Sequence, residues 1–87
     1  MNLFGQMQDT HHIRAIQNRI SSLVKQQVID EQPVFFDELE SQEQRIPRML
    51  ATLEELARQK RFSGLESSVR RVCELIAEGR VFNVPAE

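Results

Sequence analysis

The chain has 87 residues, of which 40% are hydrophobic and 28% charged, and its formal net charge is −2. This length suits one domain with a thin core, and the composition is that of a globular protein. Uninterrupted apolar stretches reach only three residues, as at 34–36, whereas a membrane span needs ~20. The single cysteine excludes an internal disulfide framework, and the start of the chain does not read as an export signal. We therefore predict a cytoplasmic protein that makes no membrane contact.

A first helix is predicted over residues 9–29. Apolar residues recur there at alternating spacings of three and four, which places them on one helical face. They are Ile13, Ile16, Ile20 and Leu23, with Val24 and Val28 beside them. Asp9 or Thr10 suits the N-cap position. Residues 1–8 are expected to form an N-terminal arm.

A break follows at residues 30–37, because Pro33 lacks an amide hydrogen and disfavours helical angles in the residue before it. Phe35 and Phe36 either cover the end of a helical pair or contact a partner. The second helical segment is predicted over residues 37–61. It is kinked or split at Pro47, since a proline inside a helix costs about 3 kcal/mol. Its apolar stripe continues across the site with a seven-residue step from Leu39 to Ile46, which favours one kinked helix.

The third helix is predicted from a capping-box pattern, Ser63 followed three residues later by Glu66. Leu65, Val69, Val72 and Ile76 form its apolar stripe. Gly79 suits the position just after a helix end, where a left-handed backbone is common. Residues 81–87 are expected to form an extended tail, in which Phe82 folds back or contacts a partner.

These elements predict an all-α fold. It is a small antiparallel helical bundle of three segments over residues 9–80, since short links favour antiparallel neighbours. Ile16, Ile20, Leu53 and Val69 are expected to hold it together. Three polar residues fall at positions that continue the apolar stripes: Gln27, Gln42 and Lys60. Polar side chains at such positions either set the register of the helices or mark where the stripe reaches water.

Charge is unevenly distributed along the chain. Residues 30–43 contain six acidic and no basic residues. A basic set follows, and its members could converge if the second and third helices are antiparallel. It consists of Arg58, Lys60, Arg61, Arg70 and Arg71. Either the set is a solvated surface, or it contacts the phosphates of a nucleic acid. The acidic stretch either complements a helix dipole, or docks on a basic partner or on the basic segment of another copy of the chain.

The sequence offers little catalytic chemistry. His11 and His12 are adjacent and therefore point about 100° apart on a helix, which does not suit one metal ion. Cys73 lies on an apolar helix face, where a small buried residue is the simplest interpretation. Glu54 and Glu55 are expected on a solvated surface. We predict no enzyme activity, no metal and no cofactor.

The prediction is therefore a non-enzymatic protein–protein interaction module, an adaptor, chaperone or regulator, that self-associates as a homodimer. Phe35, Phe36 and Phe82 are the candidate partner contacts. The alternative is a nucleic-acid-binding accessory protein that uses the basic set.

Overall fold

The computed structural model describes residues 3–33 and 42–81. Within these ranges it contains three helices and no strand: α1 (Leu3–Lys25), α2 (Gln42–Arg58) and α3 (Glu66–Ala77). Helices α1 and α2 each pack against α3. Contacts from His12 to Ser68 and from Arg19 to Arg61 show that α1 and α3 run antiparallel. The predicted all-α bundle is thus confirmed.

The core is a single cluster that the apolar stripes of all three helices supply. It contains Ile13, Ile16, Ile20, Leu23, Met49, Leu53, Leu56, Phe62, Val69, Val72, Leu75, Ile76 and Val81. The four residues predicted to hold the fold are all among them. Phe62, in the α2–α3 connection, is 2% exposed, and Val81, at the start of the predicted tail, is fully buried. Each fully buried Leu or Ile side chain stabilises the fold by roughly 1.5–3 kcal/mol.

Helix α1 begins earlier and ends earlier than its pattern predicts. It starts at Leu3, so it includes most of the predicted arm, and Asp9 and Thr10 are internal residues rather than caps. It ends at Lys25, before Ile29. Residues 26–33 then return along the bundle, where Gln32 donates to the Ser21 hydroxyl. Helix α1 ends early because a residue with a left-handed backbone follows it, and α2 and α3 end in the same way.

All three helices end in the same hydrogen-bond motif. The amide of Gly79 donates to the Ile76 carbonyl, and the next amide donates to Leu75. This pair of bonds is the Schellman motif, whose central residue is left-handed. The corresponding residue is Gln27 after α1 (φ 62°) and Lys60 after α2 (φ 61°). Both are exposed, which agrees with the expectation that such polar residues mark where an apolar stripe reaches water.

The start of α3 differs from the predicted capping box. The N-cap is Leu65, which has no side-chain capping bond, so Ser63 does not cap the helix. The Glu66 carboxylate instead accepts from the amide of Gly64 at 3.2 Å. Gly64 has φ +88°, a left-handed conformation that glycine adopts without a steric penalty.

Helix α2 runs without a break through Pro47. The described part of the segment is therefore one helix, not two. Arg45, one turn before Met49 on its core face, is only 2% exposed. Leu39, predicted in the same stripe, lies outside the described residues.

Candidate functional site

The three phenylalanines predicted to contact a partner, Phe35, Phe36 and Phe82, all lie outside the described residues. Their role stays a prediction. Two surfaces within the described part of the chain have the character of an interaction site. One is an apolar groove beside α2, and the other is a cluster of positive side chains at one end of the bundle.

The apolar groove lies between α2 and the segment that follows α1. The left-handed turn at Gln27 redirects the chain after α1. The groove encloses about 330 Å³, and its lining residues are Val28, Ile29, Ala51, Thr52, Glu55, Leu56 and Gln59. Its floor is hydrophobic, since Val28, Ile29 and Leu56 all belong to or pack against the core.

Polar side chains form one rim of the apolar groove. The Glu55 carboxylate accepts from the guanidinium of Arg58 and, at 2.6 Å, from the side-chain amide of Gln59. The bond from Arg58 is the main reason that the pKa of Glu55 lies below its usual value, so Glu55 is ionised at neutral pH. An apolar floor with a polar rim is the usual anatomy of a protein-binding surface.

The structure divides the predicted basic set into two groups. Arg58 is paired with Glu55, and Arg71 with Asp9 and Glu74. Lys60, Arg61 and Arg70 are exposed, and no described carboxylate lies within salt-bridge distance of them. The predicted basic set therefore combines two arginines in ion pairs with three cations that have no described carboxylate nearby.

Arg19 joins the unpaired group from a different helix. Its guanidinium donates to the main-chain carbonyl of Arg61 at 2.7 Å, and it makes no ion pair within the described residues. A positive side chain of α1 is thereby held beside the α2–α3 turn. We call Arg19, Lys60 and Arg61, which this contact and the turn bring together, the cationic cluster.

A polar seam joins α1 to α3 at the opposite end of their interface. Asp9 receives two bonds from Arg71, at 2.8 and 3.1 Å, and one from Arg80 at 3.3 Å. The bond from Arg71 is the main cause that holds the pKa of Asp9 below its usual value. One turn further along α1, Nδ1 of His12 lies 2.7 Å from the Ser68 hydroxyl. Sequence reasoning missed this seam, because its partners are 56 and 62 residues apart.

The aspartate, histidine and serine of the seam do not form a catalytic triad. Ser68 is 6% exposed, so a substrate would not reach its hydroxyl. The Asp9 carboxylate is bonded to arginines, whereas in a triad it orients the imidazole. The seam is better understood as a polar contact that fixes the register of α1 on α3.

The other candidate chemical groups remain dispersed. Burial raises the pKa of the Cys73 thiol, which makes it a poor nucleophile at neutral pH. The rings of His11 and His12 meet edge to face, with centroids 5.8 Å apart. Within residues 3–33 and 42–81, no group of three His, Cys, Asp or Glu residues is arranged to hold a metal ion.

Comparison with protein-family models, curated proteins and solved structures gave no match. Among the described helices, none combines the length and the apolar character that crossing a bilayer requires.

Proposed function

We propose that this protein is a non-enzymatic interaction module that self-associates as a homodimer and acts as an adaptor, chaperone or regulator of a larger protein. A cytoplasmic location belongs to the same proposal. The observation that carries it is the apolar groove, in which the half-buried side chains of Val28 and Ile29 lie beside exposed residues of α2.

Two features of the fold support the proposal that one surface is covered by a partner. The helices α1 and α2 both pack on α3, and hydrophobic side chains at the edges of these interfaces stay only half-buried. They are Val24, Val28, Ile29, Ile46, Leu50, Ala57, Leu65 and Cys73. Burying them against a second chain would stabilise the assembly by roughly 25 cal/mol per Å² of apolar surface removed from water. Symmetric dimers are the commonest assemblies that achieve this.

The test introduces a long charged side chain into the apolar groove. Ala51 is exposed on α2 and lines the groove, so Ala51→Arg should block it without disturbing the core. The matched control is Ala77→Arg, at an exposed position of α3. Sedimentation equilibrium should show a wild-type dimer, a dimeric control and a monomeric Ala51→Arg, with equal helicity. A wild type that stays monomeric at high micromolar concentration would contradict self-association.

A second candidate function, a nucleic-acid accessory protein, is favoured by one observation. Three of the five residues predicted for it, Lys60, Arg61 and Arg70, are exposed and unpaired within the described residues. Phosphate contacts should make binding fall steeply with salt. Fluorescence anisotropy with labelled single- and double-stranded DNA and RNA at low salt tests it, and no binding to any of them would remove it.

A further inference from the structure

One exposed face of α2 has a symmetrical arrangement of side chains. Its members recur at spacings of three and four residues, which places them on one side of a helix. In chain order they are Gln44, Arg48, Ala51, Thr52, Glu55 and Gln59. Gln59 follows the last residue of α2, but its amide still donates to the Glu55 carbonyl at 3.0 Å, so the face continues through it. Thr52 is half-buried and the other five are exposed. We call these six residues the symmetric face.

The symmetric face has its centre between Ala51 and Thr52. Arg48 precedes Ala51 by three residues, and Glu55 follows Thr52 by three. The outermost members, four residues further out on each side, are both glutamines. Opposite charges therefore lie at equal distances on the two sides of a centre that carries small side chains. A two-fold axis through this centre would place Arg48 opposite Glu55 of a second copy, and would do so twice.

The symmetric face forms the α2 side of the apolar groove. Four of its members line the groove, and Arg48 lines the smaller pocket beside it. The facing side chains, Val28 and Ile29, are half-buried and would be covered by a helix that lies along the symmetric face. Ala51 has a short side chain, and the distance between two packed helices depends on the size of the side chains at their contact. The centre of the face therefore permits a close approach.

The charged members of the symmetric face have partners within their own copy that leave room for another. Arg48 lies 3.6 Å from Glu31, and the two side chains are 48% and 75% exposed. The Glu55 side chain pairs with Arg58 and is still 47% exposed. A guanidinium has five N–H donors and a carboxylate about four acceptor sites. Each group can therefore bind a second partner without giving up the first.

We infer that in the homodimer α2 packs antiparallel on α2 of a second copy, about a two-fold axis between Ala51 and Thr52, with Arg48 of each copy opposite Glu55 of the other. This inference rests on the proposed self-association, and it adds the residues and the register of the contact. A second copy is the occupant because a face that is positive on one side of its centre and negative on the other complements itself. The dimer should therefore weaken as salt rises.

Charge reversal at the two positions tests the pairing. Arg48→Glu or Glu55→Arg places like charges opposite each other at both ends of the contact. Each should therefore raise the dimer dissociation constant about tenfold or more. The double variant, with both changes in one chain, restores opposite charges across the axis and should return to near wild-type affinity. The ion pairs of Arg48 with Glu31 and of Glu55 with Arg58 stay lost in the double variant, so a recovery reports the contact between copies.

The controls carry the same changes in net charge at other exposed positions. They are Arg70→Glu on α3 and Glu54→Arg on α2, and neither residue lines the groove or the pocket beside it. Singly and together they should change the dissociation constant by no more than about twofold. Sedimentation equilibrium measures the affinity of every variant, and circular dichroism should show equal helicity.

Two results would overturn the pairing while leaving self-association intact. One is a wild-type dimer whose affinity the single reversals do not change, and the other is a double variant that stays as weak as the single ones. A wild type that remains monomeric overturns the proposed self-association as well.

Discussion

Gln27 gives a stability prediction whose sign depends on the backbone. It has φ 62° and its amide donates to the Val24 carbonyl at the end of α1. A left-handed conformation costs a non-glycine residue about 1–2 kcal/mol. Glycine avoids this penalty but loses about 0.5–1 kcal/mol in chain entropy. Gln27→Gly should therefore stabilise the protein by about 0.5–1 kcal/mol, or about 4 °C in Tm for a domain of this size.

The same substitution at Gln17 provides the matched control. Gln17 is half-buried in the middle of α1, where glycine should destabilise by about 0.5–1 kcal/mol. Gly79→Ala should also destabilise, because Gly79 has φ +72° although a Cβ there would meet no atom within 4 Å. Urea unfolding at one fixed protein concentration measures all three. If Gln27→Gly lowered stability as much as Gln17→Gly, the assignment of the helix end would be refuted.

Three further predictions concern the core, the polar seam and the cysteine. Leu53 is fully buried, so Leu53→Ala should cost about 2–5 kcal/mol in urea unfolding. The half-buried Leu50 serves as control, and a loss under about 1 kcal/mol at Leu53 would contradict its place in the core. Asp9→Asn should cost about 2 kcal/mol near neutral pH. Because the folded pKa of Asp9 is lowered, this contribution is present above the unfolded pKa and lost as pH falls through the folded value. Unfolding measured down to acid pH should therefore show the difference from wild type disappearing, and a constant difference would argue against the pairing. Cys73 should react slowly with a thiol reagent at neutral pH, since burial raises its pKa; a rate equal to that of the unfolded chain would show that the thiol is accessible.

The apolar periodicity was sufficient to predict the helices and most of the core. Ile16, Ile20, Leu53 and Val69 are buried because a spacing of three and four places them on one face. The helix ends were harder to predict. Gln27 and Lys60 terminate α1 and α2 in a conformation that glycine favours, so their side chains gave no signal. At Ser63 a good local pattern was overridden, since Leu65 is the N-cap.

The candidate surfaces were less predictable than the fold, because they depend on contacts between distant residues. The spacing of charges along α2 and α3 placed Arg71 with the basic set, but its carboxylate partner Asp9 is on α1. Arg19 joins the cationic cluster through a main-chain carbonyl, which no side-chain pattern reveals. The apolar groove likewise depends on where residues 28 and 29 go after α1 ends.

The central place of α3 has a consequence for biosynthesis. Both earlier helices find their principal packing partner in the last of the three helices to leave the ribosome. During translation the apolar faces of α1 and α2 therefore stay exposed until α3 has been synthesised. A chaperone or rapid completion of the chain would protect them from aggregation. A chain that ends before Glu66, the first residue of α3, should therefore be degraded rather than give a smaller folded protein.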